Sequence, residues 1–243
     1  MTAVTTRPAV RLTGVGKRYP SSPWGGARTA LAAVDLECPA GTLTLLAGPN
    51  GSGKSTLLKI LAGLTTPDTG TLVRPAAAAG YLPEALRLPA RLTAGEILAV
   101  FASLLQPAPG PAACERALEA VGLTAEVSLR AGALSHGQRQ RLGLAATLLG
   151  SPELLLLDEP FNGLDPQAMR EFAGVLRGLR DAGKTLVVSS HLFAPLDGFC
   201  DQVAVLRAGR LTGVRRAVHA AGLAVSEMEA AYFAGSGGEE QTP

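Results

Sequence analysis

Aromatic side chains are scarce, at 4% of the 243 residues. Leucine, valine and alanine must therefore fill the core. Charge is scarce too: 17% of residues are charged and the formal net charge is only +2. That balance leaves no electrostatic footprint for a dedicated nucleic-acid binder, and no nucleic-acid partner is expected. The three cysteines, Cys38, Cys114 and Cys200, stand far apart and show no CxxC spacing. They suggest neither a zinc site nor a disulfide framework; buried thiols in a reducing compartment are the expectation. Long apolar runs are missing as well. The stretch Ile97–Leu105 has about nine residues, whereas a membrane span needs about 20. Met1–Pro8 lacks the apolar core of a signal peptide. The chain is expected to be soluble, with any membrane role supplied through a partner.

What is present is ample apolar material, 47% of the residues, enough to bury a sizeable core. Val10–Val15 and Ala30–Leu36 read as strands, separated by the Pro-, Ser- and Gly-dense loop Pro20–Thr29 that holds Trp24. Leu43–Ala47 is a short apolar strand that enters a Gly-rich turn, and Lys54–Leu64 then reads as a helix. Gly70–Val73 and Ala79–Leu82 are short strand candidates. Thr93–Leu105 and Ala112–Val121 have helical patterning and interrupt an otherwise strand-rich chain, so residues 88–134 read as an inserted helical lobe. Glu153–Asp158 is a continuous apolar run, as in a strand buried on both faces. Asp165-Pro166 supplies an N-cap and a first helical proline, and Met169, Phe172, Leu176 and Leu179 follow at helical spacing up to Gly183. Thr185–Ser189 and Val203–Leu206 are further strands. Alternating strands and helices predict a mainly parallel sheet. The residues from Gly235 onward are expected to be disordered.

Residues 48–56, Gly48-Pro49-Asn50-Gly51-Ser52-Gly53-Lys54-Ser55-Thr56, fit G-x-x-x-x-G-K-[ST]. Glycines let the backbone curl so that its N–H groups converge on phosphate oxygens. The helix starting there adds the positive end of its dipole. Lys54 brings a full charge to the β- and γ-phosphates, and the Ser55 hydroxyl can ligate Mg²⁺. Four fixed positions match by chance in about 1% of chains of this length.

Leu154-Leu155-Leu156-Leu157-Asp158-Glu159 is an apolar strand ending in two carboxylates. Ligands of open parallel sheets sit at the carboxyl ends of strands. Asp158 is placed to meet the Mg²⁺ on Ser55, and Glu159 points elsewhere, free to accept a proton from attacking water. A third feature, Leu134-Ser135-His136-Gly137-Gln138, stands about 20 residues before Asp158. Ser135 and Gln138 form a capping box for a helix over Gly137–Leu149, so another helix N-terminus faces outward.

These three elements in this order resemble the nucleotide-binding domain of ABC ATPases, whose signature is LSGGQ. The resemblance runs from about Val10 to Gly213. It implies an α/β fold: a P-loop NTPase core with a mainly parallel sheet (residues 40–88 and 150–215), N-terminal antiparallel strands and an inserted α-helical lobe, all in one domain over 9–215. A short C-terminal helix and the tail occupy 216–243. It also implies ATP and Mg²⁺ as cofactors. Tyr19 matches the aromatic that stacks on adenine. Ser135 and Gly137 match the positions that meet the γ-phosphate held by a second ATPase subunit, and a homodimer is plausible. Asn162-Gly163-Leu164-Asp165 resembles the D-loop, which crosses to that second subunit. His191 resembles the switch histidine at the γ-phosphate. His219 matches nothing.

Two positions depart from the pattern. Glu84 stands where the Q-loop usually has Gln; a carboxylate can still ligate Mg²⁺ or its water. His136 replaces the first signature Gly and, as a donor, is expected to add to the anion site. The segment between Val73 and Gly80 is short for the family. The resemblance implies an ATPase motor of a membrane transporter, held on the inner face of the cell membrane by a separate permease chain. Leu92-Thr93 with Glu96, and residues 162–166, look exporter-like. The alternatives are a soluble ATPase acting on ribosomes or DNA, which usually carries two units or long coiled coils, and a non-catalytic clamp, disfavoured by Glu159 and His191.

Overall fold

Successive leucines of the 154–157 run face two different cores, and that parity fixes the layering. The computed structural model describes residues 8–20, 26–75, 79–217 and 222–234. Its strands are β1 (Pro8–Pro20), β2 (Ala27–Pro39), β3 (Leu43–Ala47), β4 (Thr69–Val73), β5 (Gly80–Leu82), β6 (Leu154–Asp158), β7 (Thr185–Ser189), β8 (Gln202–Arg207) and β9 (Arg210–Arg216). Its helices are α1 (Lys54–Leu61), α2 (Ala94–Ser103), α3 (Pro111–Ala120), α4 (His136–Leu148), α5 (Pro166–Asp181) and α6 (Val225–Ala234). Trp24, His219 and the tail from Gly235 lie outside the described residues, as does part of the connection between Val73 and Gly80.

Six strands form one sheet in the order β5-β6-β7-β3-β8-β9. All neighbours are parallel except the β8–β9 hairpin. Leu154 and Leu156 join Leu46, Val187 and Ala204 in a core shared with α1, β1 and β2. Leu155 and Leu157 join Leu45, Val188 and Val205 in the opposite core, shared with α5 and the helical lobe. Burial on both sides explains why β3, β6 and β7 read as unbroken apolar runs rather than alternating ones. Helix α1 is thereby enclosed between the six-stranded sheet and a separate three-stranded antiparallel sheet, β2-β1-β4.

The structure corrects several boundaries. Both N-terminal strands are longer than their patterning predicts, and the stretch read as loop before Ala30 contributes Ala27–Thr29 to β2. Gly70–Val73 belongs to the antiparallel sheet, hydrogen-bonded to β1. Helix α1 stops at Leu61 rather than Leu64: Gly63 takes a left-handed φ of 76° and Leu64 is 65% exposed. The lobe carries α2 and α3, then two short turns at Thr124–Glu126 and Ala131–Ala133 that lead into α4. All three cysteines are free; Cys38 and Cys200 are buried, whereas Cys114 is only half-buried.

Candidate nucleotide site

Three neighbouring strands, β6, β7 and β3, deliver their carboxyl ends to one edge of the sheet. The loop after β3 turns into α1 at Gly53, whose φ is 109° and which offers no side-chain cap. A Cβ at Gly53 would fall 2.5 Å from the Ala30 carbonyl oxygen, so only glycine fits. The amides of the first turn of α1 are left without a side-chain acceptor, and Ser52 Oγ is buried with no hydrogen-bond partner. Uncapped amides beside an orphaned hydroxyl are what an anion would satisfy.

Lys54 is 6% exposed and curls back into its own loop: Nζ donates to the carbonyls of Gly48 (2.7 Å) and Pro49 (3.3 Å). Nζ also lies 3.1 Å from Glu159 Oε1, a charge contact not aligned as a hydrogen bond. Glu159 is itself 6% exposed and sits in the left-handed region, φ 45°. Its other oxygen, Oε2, accepts from His191 Nδ1 at 3.1 Å. A carboxylate only accepts, so Nδ1 of this half-exposed ring carries the proton in the contact.

Asp158 collects three hydroxyl donors. Ser55 Oγ (3.1 Å) and Ser189 Oγ (2.7 Å) donate to Oδ1, and Tyr81 OH (3.3 Å) donates to Oδ2. Burial, reinforced by the negative charges of Asp158 and Glu84, pushes the Tyr81 phenol well above its ordinary pKa, so it stays a donor. Ser189 Oγ also accepts the Glu159 N–H at 2.8 Å. One hydroxyl, wholly buried, therefore holds both members of the acid pair. The Ser55 hydroxyl beside the Asp158 carboxylate, with Glu84 on the cleft rim, is an oxygen-only donor set that fits Mg²⁺.

The cleft beneath these groups measures ≈ 780 Å³. Of the residues singled out in the sequence, Tyr19, Asn50, Gly51, Ser52, Gly53, Lys54, Ser55, Thr56, Glu84 and Glu159 line it. Arg28 and Lys59 line it too and were missed. Arg28 sits directly across the β1–β2 ladder from Tyr19, and its guanidinium reaches the Gly51 carbonyl at 3.4 Å. No local pattern marks it, since it falls in a stretch that reads as loop. Ser189 and Tyr81 were missed as well, although the β6–β7 register that sets Asp158 opposite Ser189 follows once both strands end at the same edge.

The remaining expected residues stand outside this cleft within one chain. Ser135 caps α4: its Oγ accepts from Gln138 N–H at 3.1 Å, and its own N–H donates to Gln138 Oε1 at 2.8 Å. Ser135 is exposed, and its hydroxyl proton is still free to donate outward. Gln138 is spent on structure, because its Nε2 also donates to Glu126 at 3.1 Å. Gly137 is buried, and a Cβ there would fall 2.7 Å from the Ala168 Cβ of α5; close packing explains that glycine. Asp165 is the N-cap of α5, accepting from Gln167 and Ala168 N–H, each at 2.9 Å. His136 turns its Nε2 to the Asn162 carbonyl of the same chain at 3.2 Å.

The family model described as ABC transporter matches residues 31–162. The chain is 37% identical over 215 residues to the aliphatic sulfonates import ATP-binding protein SsuB 2 of Xanthomonas axonopodis pv. citri, an alignment covering 87% of this chain and 72% of that protein. It is 34% identical over 215 residues to the Nod factor export ATP-binding protein I of Rhizobium meliloti, covering 83% of this chain and 62% of the relative. Among solved structures, the dimeric post-hydrolysis state of the ATP-binding cassette MJ0796 bound to ADP and Pi superposes with a TM-score of 0.75 at 25% identity, over 85% of this chain and 98% of that one. A phosphate loop, an acid pair and a histidine gathered on one sheet edge, together with these likenesses, place the chain in a single family: it belongs to the ABC transporter ATP-binding proteins and is an ATPase of that family.

Proposed function

We propose that this chain is the motor subunit of a transporter whose membrane path is formed by a separate permease chain, and that two copies of it close over Mg-ATP. One observation carries the reading. Lys54, Ser55 and Glu159 line one cleft, with Asp158 hydrogen-bonded to Ser55 and His191 to Glu159, whereas the outward hydroxyl of Ser135 sits on a helix tip outside it. A second subunit would bring that tip to the γ-phosphate.

Nucleotide phosphates would take Lys54 Nζ from the loop carbonyls and from Glu159. Mg²⁺, when bound, would be held by Ser55 and Asp158 and would supply charge neutralisation at the phosphates. Glu159, freed from Lys54, accepts the proton of the attacking water, and His191 orients the Glu159 carboxylate through Nδ1. ADP and phosphate no longer bridge the two subunits, and the pair opens.

The permease-facing surface that we assign is the apolar groove between lobe and core. It has a volume of ≈ 540 Å³ and is lined by Leu82, Leu86, Leu88, Phe101 and Leu105. Its lining includes β5 and the residues Pro83 and Ala85 that flank Glu84, so an occupant there touches the segment that reaches the nucleotide. No helix among the described residues is long and apolar enough to cross a membrane.

The reading carries no direction of transport. The patterns that look exporter-like are helix starts: Thr93 and Glu96 form the capping box of α2, and Asp165 caps α5. The relatives include an importer and an exporter. The test is sedimentation of the Glu159→Gln variant, which should shift from monomer to dimer with Mg-ATP and not with ADP. A variant that stays monomeric, or that hydrolyses ATP at the parent rate, overturns the reading.

A further inference from the structure

The two residues at which this chain departs from the family pattern, His136 and Glu84, lie 52 positions apart in sequence and meet on one residue. Asn162 donates from Nδ2 to Glu84 Oε1 at 3.2 Å. Its backbone carbonyl accepts from His136 Nε2, also at 3.2 Å. The carbonyl can only accept, so Nε2 bears the proton in this contact. The imidazole lies over the next residue: a Cβ at Gly163 would come within 3.4 Å of His136 Nε2. Gly163 has a left-handed φ of 72°, which favours glycine there, and the ring packs at van der Waals distance over it. Glycine at 136 would have no side chain to make the first contact.

We infer that His136 and Glu84 are positioning residues that act as one unit through Asn162. His136 is the first residue of α4, directly after Ser135. Glu84 follows β5 and stands on the cleft rim. Between them they hold a loop that begins at Glu159 and ends at the α5 cap, Asp165. Two backbone hydrogen bonds shape that loop, Asn162 N–H to the Glu159 carbonyl and Leu164 N–H to the Phe161 carbonyl, each 3.2 Å. The grip fixes the loop against the tip of α4, so the carboxylate serving a subunit's own nucleotide and the hydroxyl offered outward at Ser135 keep a set relation. That last consequence rests on the paired reading above; the contacts themselves belong to one chain.

Hydrogen–deuterium exchange on the nucleotide-free protein tests the inference without pairing or turnover. The reporters are the Asn162 and Leu164 amides, with amides of β6 and β7 as a measure of global folding. Losing one such hydrogen bond should speed loop exchange about threefold to tenfold, in His136→Ala and in Glu84→Ala alike. The double variant should fall short of the product of the two single effects, because both act on one residue. His136→Gln, which keeps a donor, and Glu84→Gln, which keeps an acceptor, should stay near the parent. The proposal is overturned if His136→Ala exchanges like the parent, if the two effects multiply independently, or if the Gln variants lose protection as the Ala variants do. A monomeric Glu159→Gln protein beside a confirmed exchange pattern would sink the paired reading and leave this inference standing.

Discussion

Replacing Ser189 with alanine tests the claim that one buried hydroxyl organises the acid pair. The side chain is wholly buried, donates to Asp158 Oδ1 at 2.7 Å and accepts from Glu159 N–H at 2.8 Å. Deleting it removes a charge-assisted hydrogen bond and strands an amide whose residue is 6% exposed. Asp158 keeps Ser55 and Tyr81 as donors, which limits the first loss. Together the two losses amount to roughly 2–5 kcal/mol. In a chain of this size that lowers the melting temperature by on the order of 10 °C. Ser190→Ala is the internal control. Its hydroxyl is also buried, but it bonds only the nearby Leu192 backbone, at 2.9 and 3.1 Å, and should cost about 1 kcal/mol. Urea unfolding of the nucleotide-free proteins measures both. A Ser189→Ala loss under about 0.5 kcal/mol, or one no larger than that of Ser190→Ala, refutes the reasoning. Steady-state hydrolysis should fall with it, since both carboxylates lose their common anchor.

Lys54→Ala should abolish tight nucleotide binding by calorimetry, and it should also destabilise the empty protein by about 3–5 kcal/mol, because Glu159 is left buried beside a missing cation. Adding Glu159→Gln should recover much of that stability and none of the binding. Glu159→Gln alone should retain ATP affinity while hydrolysis drops about 10²–10⁴-fold, measured by phosphate release. Burial pushes the Cys38 thiol up to about 11 and the Cys200 thiol up to about 12. Maleimide should therefore label Cys114 alone in the native protein at neutral pH, and all three cysteines after denaturation, as read by mass spectrometry. The sign for stability follows from the same shifts. The neutral thiol is favoured in the folded state, so that contribution is intact below the ordinary thiol value of 9.0 and is lost as pH rises from there through about 11 to 12. Melting curves recorded across that window should show the decline, and a Cys38→Ala, Cys200→Ala protein should show less of it.

The parts of the site legible in sequence are those whose chemistry is local. The phosphate loop declares itself within nine consecutive residues, and the acid pair closes an apolar run that could only be a buried strand. The capping box at Ser135 is likewise contained in a four-residue window, and it is present. What escaped depends on pairing across long sequence separations. Tyr81 reaches Asp158 over 77 positions and Ser189 over 31, so neither hydroxyl carries a mark in its own neighbourhood. Strand β9 was not foreseen because its burial pattern is almost wholly exposed; an edge strand hydrogen-bonded to β8 needs little apolar signal. The overrun of α1 to Leu64 followed from counting an apolar residue that faces solvent. The partner of His136 Nε2, the Asn162 carbonyl, lies 26 positions downstream and carries no mark near residue 136.

The cleft draws on chain segments that emerge far apart during synthesis: the curl at residues 48–56, the pair at 158–159 and the imidazole at 191. Their mutual placement depends on β7 lying between β3 and β6. The triphosphate seat is therefore incomplete until the segment that carries His191 has joined it. Ligand that binds only the finished arrangement draws the population toward it by mass action. Nucleotide bound there would stabilise the strand order that brings the three segments together as well as present the phosphates.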